Sequence, residues 1–290
     1  MSIVRRFRSL TRRQKVVGGS LVLLLALSVA LVLAQVGMRS PVASNVVLVR
    51  TTRTLPESPW APAWRKVSGI VMPLSVVSTP NPLQGNVQVK ALSDGQQVAI
   101  RLEWTDDSQE LNTLRPQDFA DAAAIQWTSG VTNACMGQLD APVQIWHWRA
   151  DGHANARSMA TAYPNMRVDG FHDDSGQVAK ELGADLYARA ALTVGNRRAL
   201  PDKEGKAEQL VAGGFSTLTS DSQHSTAAVA EWQDGKWAVV FTRSLQGEEG
   251  RYSFTADAPL QAAFAVWDGK QQQRDGMKYI TDWAVFQVKP

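Results

Sequence analysis

Four histidines are the first candidates for chemistry: His147, His153 and His172 lie within 26 residues of one another, and His224 stands apart. Imidazole binds metals and titrates near neutral pH, yet this spacing matches no metal-binding pattern. His147 falls between Trp146 and Trp148 in a predicted strand, whereas His153 and His172 sit in Gly/Asp-rich sequence. They read as surface or hydrogen-bonded loop residues. Two acid pairs, Asp106-Asp107 and Asp173-Asp174, suit calcium binding or acid–base work by type. No EF-hand or calcium-repeat spacing surrounds them, so they read as solvated turns. Cys135 is the sole cysteine, which excludes an internal disulfide, a CxxCH haem attachment and a zinc site built on Cys pairs. No GxSxG elbow is present, and nothing favours a hydrolase. Ten tryptophans offer flat apolar faces suited to a sugar ring. The period-two placement of Trp104 and Trp237 fits packing between sheets better.

The elements that must position these residues are strands. Val98, Ile100, Leu102 and Trp104 alternate with Ala99, Arg101 and Glu103, the period of a half-buried strand. Asp94-Gly95 turns this strand back from Val87–Leu92, and Asp234-Gly235 joins 228–232 to Trp237–Arg243. Further strands are predicted at 46–50, 122–127, 143–148, 262–267 and 279–288. Short strands separated by such turns predict an all-β fold, an antiparallel β-sandwich with a few short helices. The best helix signals are 116–122 and 177–191. Residues 150–227 are rich in Gly, Asp, Ser and Asn and read as a long loop excursion, a segment type often used for docking.

Composition bounds the rest. With 44% hydrophobic and 20% charged residues over 290 positions, the chain can form an ordinary globular core. The net charge of +3 is misleading, because the first fifteen residues carry six basic residues and no acid, leaving about −3 beyond them. A folded domain with that balance does not suit nucleic acid. The basic flank (1–15) precedes an apolar run (16–36) broken only by Gly18, Gly19, Ser20, Ser28 and Gln35. This is a transmembrane anchor or signal segment: Val32-Leu33-Ala34 offers a cleavage site, and the length favours an anchor. The basic side stays in the cytoplasm, so the remainder lies on the periplasmic, extracytoplasmic side. A proline-containing linker (37–65) leads into the main domain (66–290).

Three segments together resemble one family. They are Ala122-Ala-Ala-Ile-Gln-Trp127 with Asn133-Ala-Cys-Met-Gly-Gln138; Pro142-Val-Gln-Ile-Trp-His-Trp-Arg-Ala-Asp151; and Ala263-Phe-Ala-Val-Trp-Asp-Gly269 through Arg274-Asp-Gly-Met-Lys-Tyr-Ile-Thr-Asp-Trp283. In combination they resemble the haem-b-binding gamma subunits of type II enzymes of the dimethyl sulfoxide reductase family, over roughly residues 65–290. The resemblance implies a non-covalent haem b with Met136 and Lys278 as axial ligands. Met277 offers a second thioether, but neighbours in an extended segment point oppositely, so one of Met277 and Lys278 faces the haem. It also implies no catalytic residues of its own, partnership with an iron–sulfur beta subunit and a molybdenum alpha subunit, and exchange with a soluble cytochrome c or similar partner. Two rival readings are a carbohydrate-binding sandwich and an assembly subunit that has lost haem.

Overall fold

The computed structural model describes residues 45–76, 85–130, 132, 134–157, 159–165, 205–221 and 225–288. The apolar run at 16–36, the predicted helix at 177–191, His172, Asp173, Asp174 and His224 lie outside them. No helix among the described residues is long and apolar enough to cross a membrane.

Nearly all regular elements of the described chain are strands, with three short helical turns at Pro62–Lys66, Ala150–Gly152 and Met159–Ala162. In chain order they are β1 (Val46–Thr51), β2 (Ile70–Pro73), β3 (Ser75–Val76), β4 (Asn86–Ser93), β5 (Gln97–Thr105), β6 (Ala122–Thr128), β7 (Val143–Arg149), β8 (Glu208–Ala212), β9 (Thr219–Ser220), β10 (Ala227–Gln233), β11 (Lys236–Ser244), β12 (Leu260–Trp267), β13 (Tyr279–Ile280) and β14 (Ala284–Val288). Two layers result. The first runs β10-β11-β5-β4, with β2 also on β4; the second runs β14-β12-β6-β7-β8-β9, with β13 on β12 and β3 on β13. β1 joins them, pairing with β14 through Val46–Val49 and with β4 through Arg50 and Thr51. Both of its pairings are parallel, so the sandwich is mixed at this joint and antiparallel elsewhere. The strand expected inside the proline-containing stretch is thus the one that links the layers.

Side-chain alternation explains why the layers close on each other. In β6 the odd-numbered positions Ala123, Ile125 and Trp127 enter the main core, as do Trp146 and Trp148 of β7 and Phe264 and Val266 of β12. They meet Ile100, Leu102, Trp104, Trp237, Val239 and Phe241 from the first layer. Aromatic contacts cross the gap, with Trp146 and Phe241 centroids at 6.5 Å and Trp148 and Trp237 at 5.0 Å. Such pairs add to the area they remove from water. None of the ten tryptophans is exposed, so packing accounts for most of them and they present no open platform.

Three expectations change. Residues 116–122 form no helix, because Ala122 already belongs to β6 and Arg115 and Asp118 close a turn through the Asp118 carboxylate. The predicted strand 279–288 is split: Thr281 bonds Phe264 of β12 through both its backbone N–H and its hydroxyl, and pairing resumes at Ala284. The C-terminal part of the excursion is sheet, since β8 pairs along β7 from Val143 to His147 and β9 pairs on β8. Its alternation is only five residues long, too short to stand out among polar neighbours.

Candidate functional site

The second layer also carries an apolar cluster on its outer face. Ala122 and Ala124 of β6, Val143 and Ile145 of β7, Leu210 and Ala212 of β8, and Ala265 and Trp267 of β12 form a separate buried cluster there. All seven residues of β6 are buried. Two chain segments lie over this face, and between them and the sheet is a cleft of about 910 Å³. That is near the upper end of the usual range for small-molecule and cofactor sites, about 300–1,000 Å³. Ala122, Ala124 and Ala265 line it, together with Ile145, Leu210 and Trp267. Small side chains at these positions leave room that the large inner-face residues do not.

The first covering segment is the turn that carries Met136. Gln126, on the outer face of β6, holds it at both ends of its amide: Nε2 donates to the Ala134 carbonyl at 3.1 Å, and Oε1 accepts the Met136 N–H at 3.2 Å. The Gly214 N–H donates to the Met136 carbonyl at 2.8 Å. Met136 has φ 70°, a left-handed conformation that costs a non-glycine residue about 1 kcal/mol or more. Gly137 follows at φ 68°, and a Cβ there would lie 3.0 Å from both the Ala141 carbonyl oxygen and Val143 Cγ1. Glycine at 137 is therefore a geometric requirement of the turn, whereas Met136 holds its conformation at a cost.

The second segment descends from Trp267 to β13. Asp268 closes its first turn, accepting from the Gln271 N–H, and Tyr279 and Ile280 pair with Val266 and Ala265. Lys278 precedes this pairing and lies beside Trp267, its ammonium 5.3 Å from the ring centroid. Lys278 is 8% exposed, whereas Met277 is 68% exposed and does not line the cleft. The alternation expected of neighbouring side chains thus turns Lys278 inward.

The structure brings the two expected residues together. Lys278 Nζ lies 3.9 Å from Met136 Sδ, although 142 positions separate them in the chain. Burial lowers the Lys278 pKa from its usual value, opposed in part by Cys135 and Asp275. A lysine in such surroundings can present a neutral amine with a free lone pair. The same cleft is lined by His147, Arg115, Arg149 and Arg274, and by Phe215, which is 69% exposed. His147 faces Trp267 with ring centroids at 5.2 Å and has Glu208 3.9 Å from Nδ1. His153 lies elsewhere, against the edge of Trp237. Sequence reasoning did not find Gln126. An amide at an outward position of an otherwise alanine-rich strand was the available sign.

A β-sandwich that turns a buried lysine and a thioether toward each other over an alanine floor defines the class. The family model for ethylbenzene dehydrogenase matches residues 61–279, and the chain belongs to that family. It is 28% identical over 278 residues to a Haloferax mediterranei protein named "Putative respiratory nitrate reductase heme subunit ORF7", covering 93% of this chain and 80% of the relative. It is 25% identical to the dimethylsulfide dehydrogenase subunit gamma of Rhodovulum sulfidophilum, over 66% of this chain and 56% of that one. Identity to the chlorate reductase subunit gamma of Ideonella dechloratans is 24%, over 78% and 77%. Among solved structures, a family 9 carbohydrate-binding module from Caldicellulosiruptor kristjanssonii in complex with glucose is similar at TM-score 0.42 and 10% identity, covering 84% of this chain and 95% of the module.

Proposed function

We propose that this chain is the non-catalytic haem b subunit of a molybdenum oxidoreductase complex, with Met136 and Lys278 as the axial ligands. The observation that carries the reading is the approach of Lys278 Nζ to Met136 Sδ inside an apolar cleft. The names of the relatives, heme and gamma subunits of reductases and a dehydrogenase, agree with it.

The residues fit the group by their chemistry. A thioether is a soft donor and favours the reduced metal. Lys278 donates only when neutral, and burial disfavours its charged form. The alanine floor and Trp267 supply flat apolar contact. Arg115, Arg149 and Arg274 line the cleft, the first two paired with Asp118 and Asp151; a guanidinium that exchanges such a partner suits the carboxylates of a porphyrin. When bound, haem supplies a one-electron iron couple. With Met136 and Lys278 both holding the group, the chain would serve electron transfer rather than bind substrate, and catalysis would belong to other subunits. In this reading electrons pass between an iron–sulfur subunit and an external cytochrome or similar partner, on the extracytoplasmic side of the membrane. The exposed Phe215 and Leu218 at the cleft lie in the stretch assigned to docking.

Visible spectroscopy on the purified full chain tests this. A low-spin haem band and a b-type pyridine haemochrome are expected. Lys278→Ala and Met136→Ala should each abolish the low-spin band, and Met136→Ala should lower the midpoint potential of any haem retained. An unaltered spectrum in Lys278→Ala would overturn the ligand assignment. A wild-type protein that takes up no haem would support the haem-free assembly role instead.

A further inference from the structure

A second constellation lies beside the cleft, outside its lining. Asp106, Glu110, Asp121 and Asp268 each place a carboxylate oxygen within 4.8 Å of the others. Asp106 follows β5 of the first layer, Asp121 precedes β6 and Asp268 follows β12, both of the second layer. The group therefore gathers the ends of strands from both sheets. Asp106 is 5% exposed and Asp121 fully buried. Among the described residues none of the four is ion-paired with lysine or arginine, and the neighbouring Lys270 pairs with Asp107 at 3.0 Å.

The two buried acids differ in how they are satisfied. Asp121 accepts three hydrogen bonds: from the Glu110 N–H, from Trp237 Nε1 and from the Gly269 N–H. Asp106 Oδ1 accepts the Ser108 N–H at 3.2 Å, but Oδ2 is buried with no hydrogen-bond partner. Leaving a buried acceptor unsatisfied costs about 1–3 kcal/mol, more if it is charged. A proton on Asp106 could be donated to one of the neighbouring carboxylates, but it would neutralise one charge only and leave the other acids repelling one another. A cation would satisfy Oδ2 and the mutual repulsion together.

We propose that Asp106, Glu110, Asp121 and Asp268 bind one calcium ion that clamps the ends of the two sheets together. The donor set is all oxygen and highly anionic, which suits a hard cation. Ligands at about 2.3–2.6 Å from calcium on opposite sides stand about 4.6–5.2 Å apart, a span in keeping with this group. Magnesium requires a tighter, near-ideal octahedron, which acids from three strand ends and a loop do not readily supply. Because Asp121 adjoins Ala122 and Asp268 adjoins Trp267, the clamp also braces two walls of the cleft.

The test uses the full chain, stripped with EGTA and then titrated with calcium chloride or magnesium chloride. One calcium per chain by elemental analysis and calorimetry is expected. The melting temperature should fall by several degrees in EGTA and recover with calcium but not with equal magnesium. Glu110→Gln and Asp268→Asn, at partly exposed positions, should each weaken calcium binding by about tenfold or more, since affinity follows ligand charge. The proposal is overturned if the wild type binds no calcium up to about 1 mM, the weak end of protein calcium sites. Equal action of magnesium overturns it too, as does full calcium affinity in the double variant. The wild-type titration needs no variant to fold, and none of these readouts depends on haem.

Discussion

The two faces of the second sheet show what packing and function each ask of the same strands. On the inner face, Trp127 touches Trp146, Phe254 and Phe286 with ring centroids at 4.9–5.0 Å, and the space is filled. On the outer face of the same strand, Ala122 and Ala124 face a cleft of about 910 Å³. Adjacent residues of β6 therefore serve opposite ends. The inner set gains stability by leaving no gap. The outer set gives up contact area so that two distant segments can bring Met136 and Lys278 together over it.

Substitutions on each face can break this contrast. Trp127→Ala is expected to have the largest effect, a loss of about 3–5 kcal/mol in unfolding free energy, measured by denaturant titration. Ala124→Phe should do the reverse. It should cost stability by no more than about 1.5 kcal/mol, since it fills existing space, while cutting haem retention at least several-fold in the absorbance ratio. If it destabilises as a core substitution does, the outer face is ordinary core and the contrast fails. Met277→Leu should have the smallest effect, within about 0.5 kcal/mol, as for most surface positions, with an unshifted haem spectrum. A changed spectrum would make Met277 rather than Lys278 the residue that matters.

Much of this was legible before folding was considered. The strand centred on Ile100 and its hairpin to Val89 follow from alternation and an Asp-Gly turn, and they pair as expected through Val87–Ser93. The Met136 and Lys278 pair came from motif resemblance alone, because neither residue type at such a separation has any local signature. Three features were not legible. β8 is short and polar-flanked. Asp106 looked like a solvated turn because its neighbour Asp107 is one, yet Asp106 is buried while the Asp107 side chain is 77% exposed. Gln126 has the same composition signal whether it faces water or bridges a turn.

The sequence by itself determined the secondary structure of most strands and the handling of Trp as core. These are local matters, decided by side-chain period and by backbone sterics within a few residues. Only the tertiary structure decided that Met136 and Lys278 meet, that Gln126 holds the turn carrying Met136, and that three acids at strand ends converge with Glu110 of the loop between β5 and β6. Those depend on which strands become neighbours: β12 lies between β14 and β6, and β6 lies beside β7. That order is fixed by the total apolar surface the two sheets can bury together, and no stretch of a few residues encodes it.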